Sequence, residues 1–174
     1  LGFPLRSKDF RFRPVYLTNA PDGSIYVADF YEHFIAHGQH YQSQIDPRTG
    51  RVYRLRSREA KLNTINDLAK LNSSQLIKHL ENPNKWHRQT AVRLLGKIKE
   101  DGFKEKLIDW VNEKKNNLAL GGLWALHQSG HLNEDLCVQF LKHTYPSVRS
   151  WTVRFLGDNK SISESTAIAL RQLA

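Results

Sequence analysis

Three five-residue segments constrain this chain more than anything else in it. They are AVRLL at Ala91–Leu95, GLWAL at Gly122–Leu126 and TVRFL at Thr152–Leu156. Each carries a small or β-branched residue followed by apolar residues three and four positions on, the period of a helix face. The three recur at a spacing of about 30 residues, the length of a helical hairpin in repeat proteins. A shorter amphipathic stretch precedes each of them: SQLIKHL at Ser74–Leu80, KEKLIDWV at Lys104–Val111 and EDLCVQFL at Glu134–Leu141. Breakers separate the members of each pair at Glu81–Asn84, Asn112–Asn116 and His143–Pro146. One hairpin of this kind exposes an apolar stripe that only the next hairpin can cover, so the units are expected to stack into an α-solenoid. Ser161–Leu173 reads as the first helix of a fourth unit. Because that unit is half complete and Leu1 stands where a natural start would carry Met, the chain reads as a piece of a longer protein.

The first third has a different period. Phe10–Leu17 mixes aromatic and β-branched residues and is expected to be a strand. Pro21–Ser24, PDGS, is a turn in which Pro sets φ and Asp-Gly tolerates the bend. Ile25–Phe30 and Arg51–Arg56 are two more expected strands, the last preceded by a second turn signal at Asp46–Gly50. Three strands of this length bury little alone and need a partner layer. The fold class that follows is mainly α with a small β part: residues 1–58 a short antiparallel β element, residues 59–174 a solenoid of three hairpins and the start of a fourth.

Between the second and third strands lie His33, His37 and His40. His33 and His37 would share a face of a helix, and two such imidazoles with His40 make a candidate metal set. The carboxylates nearby are Glu32 and Asp29 alone, and the following YQSQIDPRTG reads as an excursion from the sheet. A structural loop and a contact to a ligand or a neighbouring domain are the competing readings. Asp29, at a strand end, is read either as accepting backbone N–H groups or as pointing into a channel. The single Cys137 falls in the apolar phase of its helix and excludes an internal disulfide or a CxxCH haem attachment. Trp86, Trp110, Trp124 and Trp151 each fall in a repeat and read as packing residues. Trp86 opens a helix beside His87 and Arg88, and these three are candidate ligand or interdomain contacts.

Phe12-Arg13-Pro14, Pro21-Asp22-Gly23-Ser24, Tyr26-Val27-Ala28-Asp29-Phe30-Tyr31, Ile35-x-His37-Gly38 and Gly50-Arg51-Val52-Tyr53-Arg54 together resemble the last blade of the sorbosone-dehydrogenase-like β-propellers, which are similar to pyrroloquinoline-quinone-dependent glucose dehydrogenases. Leu80–Lys97 resembles the first HEAT-type repeat that follows such a blade in large bacterial proteins of that family, where a c-type cytochrome domain usually comes next. The resemblance implies that residues 1–58 are part of a propeller blade and 59–174 HEAT-like. It implies a parent that is a quinone-dependent sugar dehydrogenase in the cell envelope, with pyrroloquinoline quinone over the propeller centre. In that setting Arg11 and Arg13 are the residues expected to reach the cofactor or a substrate anion. The family's histidine base comes from an earlier blade, so the piece itself is expected to be non-catalytic, a scaffold touching the propeller, a cytochrome domain or another protein.

The net charge of +9, from 26 basic and 17 acidic residues, opens a competing reading. A basic solenoid can track phosphates if Lys85, Arg88, Arg93, Arg149 and Arg154 line one groove with Trp86 and Trp151. No apolar run approaches the roughly 20 residues of a membrane span, so no membrane contact is expected. Strands with unpaired edges invite pairing with a second copy. No P-loop, GxSxG, HExxH or GxGxxG pattern is present.

Overall fold

The computed structural model describes residues 5–32, 48–59, 62, 67–98, 102–159 and 161–172. The protein is mainly helical with one small sheet, and the chain divides into two compact units, Leu1–Ile65 and Asn66–Ala174.

The first unit holds an antiparallel sheet of order β1-β2-β3, from β1 (Pro14–Asn19), β2 (Ile25–Asp29) and β3 (Arg51–Leu55). β1 starts four residues later than the sequence pattern suggests. Phe12 N–H donates to Asp9 O at 3.1 Å and Arg11 N–H to the Asp9 carboxylate at 3.0 Å, which bends residues 9–12 into a turn. The tight connection between β1 and β2 closes through Ala20 N–H to Ser24 O, 2.8 Å, with Gly23 at φ 91°, where a side chain would be strained. A bulge interrupts the β1–β2 register between Pro14 and Tyr16. Among the described residues of this unit only Ala20 and Val27 are buried apolar groups, while Tyr16, Leu17 and Val52 are 62–71% exposed.

Among the described residues, polar staples tie the strands of this sheet together. Asp22 and Ser24 are buried; the Asp22 carboxylate accepts from Ser24 N and Ser24 Oγ (2.9 and 2.6 Å), and its other oxygen pairs with Arg54 of β3. Those Ser24 bonds, and after them the Arg54 charge, hold the Asp22 carboxyl below its ordinary range.

The second unit opens with a 3-10 turn (Leu68–Lys70) and continues through α1 (Ser73–His79), α2 (Lys85–Leu95), α3 (Lys104–Glu113), α4 (Asn117–Gln128), α5 (Glu134–Phe140), α6 (Pro146–Asp158) and α7 (Glu164–Arg171). Four of these N-termini are capped by side chains of residues that favour such positions. Asn72, with Gln75, forms a capping box on α1; Asn84, Asn133 and Ser163 cap α2, α5 and α7; Pro146 opens α6.

α1 packs on α2, α3 on α4, and α5 on α6, and the second helices form a row in which α2 meets α4 and α4 meets α6. The repeat is visible in burial. Ala91, Gly122 and Thr152 are all buried, as are Leu95, Leu126 and Leu156 one turn on. Leu76, Leu107 and Cys137, with Leu80, Val111 and Leu141, do the same in the first helices. Gly122 shows why the small position matters: a Cβ there would lie 2.7 Å from Trp110 Cδ1 and 3.0 Å from Val111 Cγ2.

Neighbouring hairpins are also stitched by polar pairs about one repeat apart. Lys106 Nζ donates to Ser74 Oγ (2.9 Å), and Lys114 pairs with Glu81 (2.5 Å). His143 Nδ1 accepts from Tyr145 N–H, so its Nε2 carries the proton and donates to Val111 O at 2.9 Å. Glu134 Oε2 accepts from Ser163 N, Ser163 Oγ and Thr166 Oγ1 at 3.1, 2.6 and 2.7 Å, tying α7 to α5. Among the described residues no helix is long and apolar enough to cross a membrane.

Candidate functional site

The second helices each present one face to a groove of about 750 Å³. α2 contributes Lys85, Arg88, Gln89 and Val92; α4 contributes Asn117, Gly121, Trp124, His127 and Gln128; α6 contributes Trp151, Arg154, Phe155 and Asp158. Each set follows the i, i+3/i+4, i+7 rhythm of a helix face, so stacking aligns three faces side by side.

The groove has an aromatic floor. Trp124 meets Trp151 edge to face, centroids 5.3 Å apart; Trp151 meets Phe155 at 5.5 Å; His127 stacks on Phe155 at 3.9 Å. The Arg154 guanidinium lies over the Trp151 ring at 5.0 Å, a cation–π contact. Trp124 Nε1 is buried and meets no acceptor. Gly121 leaves the middle open, because a Cβ there would touch nothing within 4 Å. Of the charged lining groups, Lys85, Arg88 and Arg154 are cationic and Asp158 is anionic.

The basic stripe envisaged from the sequence assembles in part. Lys85, Arg88, Arg154 and Trp151 share the groove, whereas Arg93, Arg149 and Trp86 are not among its lining. Arg88 and Arg149 also serve their own hairpin loops. Each donates through Nη1 to two loop carbonyls, Asn82 and Pro83 for Arg88, His143 and Thr144 for Arg149. Trp86 packs against the core, and His87 is buried beside it, its ring 5.2 Å from Trp86 and stacked at 5.6 Å on His79. Burial, and then the neighbouring His87, push the His79 imidazole below its usual value.

In the sheet unit, Arg11 and Arg13 precede β1 and do not lie on a strand. The Arg13 guanidinium donates to Phe10 O and Phe12 O at 2.7 and 3.0 Å, holding the turn that displaced the strand. Asp29 is buried; its Oδ1 accepts from Arg13 N and Tyr31 N at 2.6 and 3.0 Å, and its Oδ2 has no hydrogen-bond partner. His33, His37 and His40 lie outside the described residues; among the described residues no three metal-ligating side chains cluster.

The sequence pattern marks Trp124 as a packing residue only and does not single out His127, Gln128 or Asp158, all of which line the groove. A partial signal was available: superposing GLWAL on TVRFL puts Trp124 and Arg154, both lining residues, at one position, although Arg93 at the same place in AVRLL is not among the lining.

A family model described as a domain of unknown function, DUF7133, matches residues 4–59, about a third of the chain and on the sheet unit alone. No curated protein and no solved structure matches the chain.

Proposed function

We propose that this chain is a non-catalytic interaction module, in which HEAT-like hairpins offer the groove on α2, α4 and α6 to a segment of a protein partner. The sheet unit is read as part of a sorbosone-dehydrogenase-like propeller blade. Its parent is read as a quinone-dependent sugar dehydrogenase of the cell envelope, with pyrroloquinoline quinone as the parent's cofactor. The solenoid then holds the propeller against an adjacent domain, a cytochrome c domain among them, or another protein. The observation that carries the reading is the groove: rings, amides and cations aligned from three successive repeats are groups that hold a ligand.

Peptides selected from a displayed library on the full chain test it, with Gly121→Phe as the filled-groove control. Selected peptides should bind the native chain and lose affinity for the variant; peptides indifferent to Gly121→Phe would contradict the reading. Quinone-dependent aldose oxidation by this chain alone should be absent, and turnover would overturn the non-catalytic assignment.

A second reading, nucleic-acid binding, draws on Lys85, Arg88, Arg154 and Trp151 sharing the groove. It requires a gel shift with plain duplex that weakens steeply as salt rises.

A further inference from the structure

We infer that the groove on the second helices takes an acidic, extended peptide segment with an apolar side chain at its centre. The inference rests on reading that groove as a binding site and adds the chemistry of its occupant.

Lys85 and Arg88 stand on α2 and Arg154 on α6, where Asp158 one turn on is the single carboxylate of the lining. The lining is therefore rich in hydrogen-bond donors and poor in negative acceptors, which favours a ligand carrying carboxylates toward its two ends.

The centre differs from the sides. Above Gly121 the space is open for more than 4 Å around an added Cβ, and Trp124 and Trp151 belong to the same lining. Open space of this kind beside aromatic rings has room for one aliphatic or aromatic side chain. Width sets the length. Neighbouring helices pack about 8–10 Å apart, so the row from α2 to α6 spans roughly 16–20 Å, the reach of about five or six extended residues at ~3.3 Å each. The segment thus reads acidic, apolar, acidic across the row.

The same geometry disfavours a nucleic acid here. Base stacking needs presented ring faces, and these rings are packed on one another: Trp124 on Trp151, Trp151 under Arg154, Phe155 under His127. Arg93 and Arg149, which would extend a phosphate track, are outside the lining.

Fluorescence polarisation on the full chain tests this with three labelled probes: the heptapeptide Glu-Asp-Glu-Leu-Glu-Asp-Glu, its Gln/Asn counterpart, and a thymidine oligonucleotide of equal charge. The acidic peptide should bind, weaken with salt, and lose at least about tenfold in affinity in its amide form. Gly121→Phe and, separately, Arg154→Glu should each weaken it by about tenfold or more. Circular dichroism and melting check that both variants are folded, and Arg154→Glu alone suffices if Gly121→Phe is not. Equal binding of the amide peptide, tighter binding of the oligonucleotide, indifference to both variants, or no binding of the acidic peptide at about 100 μM would each overturn the inference. Neutral or basic library peptides that remain sensitive to Gly121→Phe would overturn the acidic occupant and leave the binding groove standing.

Discussion

Gly121 and Gly122 are neighbours with opposite duties. Gly121 faces open space, whereas Gly122 faces Trp110, whose ring is fixed by an Nε1–H bond to Leu118 O at 2.9 Å. Gly121→Ala should stabilise the protein by about 0.5–1 kcal/mol through better helix propensity. Gly122→Ala should destabilise it by about 1–3 kcal/mol through overpacking. Thermal melts of the two variants check the pair, and the signs must differ. Cys137 gives a second prediction at this scale. Burial, with Glu134 adding repulsion, pushes its thiol up to about 11, so the reactive thiolate is scarce near neutral pH. An aromatic disulfide reagent at pH 8 should label it only after denaturation; fast labelling of the native chain would contradict its placement. Its burial was legible in the apolar phase of Leu136, Cys137 and Phe140. The contrast between the two glycines was not, because both read equally as small residues on an apolar helix until the partner helix is in place.

At the scale of elements, α7 is joined to α5 through Glu134. The bonds from Ser163 and Thr166 hold that carboxyl below its ordinary value of 4.5. A folded-state value below the unfolded one means the stabilisation is present above about pH 4.5 and is lost as pH falls through the lower folded value. Glu134→Gln should therefore melt earlier than the native chain near pH 7, with the gap closing in acid; a gap independent of pH would refute the linkage. His79 titrates in a higher window. Its folded value is lowered, so the unfolded chain takes up the proton first and stability declines as pH drops below about 6.5. Melting from pH 7.5 to 5.5 should fall less steeply in His79→Gln. The helices themselves were legible: breakers and Asn or Ser caps bracket most of them. The start of β1 was not, because a 3.1 Å turn bond at Asp9 and the Arg13 clamp override the β-rich look of Phe10–Phe12. Propensity lost to local hydrogen bonding, as it does where a side chain can hold a turn.

For the molecule as a whole, the repeat and the sheet differ in how they are held. The helical unit encloses a continuous core from Leu68 to Phe155, and Leu107, Leu123 and Leu126 in its middle are fully buried. Among its described residues, the sheet unit is tied by Asp22, Ser24 and Arg54. Amide exchange should accordingly be slowest in α4 and faster by orders of magnitude in β1–β3; a sheet that outlasts α4 would contradict that ordering. The hairpin array was readable from its period, since matching small and apolar positions at 91, 122 and 152 mark three like helices, each preceded by an amphipathic partner. The groove was only half readable. Its cations were visible, but which of them meet depends on how α2, α4 and α6 align, and that alignment left Arg93 and Arg149 aside while bringing Trp124 to Trp151.

The indole N–H resonances of the four tryptophans offer the most direct test of the groove and its occupant. Titrating the acidic heptapeptide into isotopically labelled protein should move the Trp124 and Trp151 signals and leave Trp86 and Trp110 in place. Shifts confined to Trp86 and Trp110, or no shift at saturating peptide, would contradict the account.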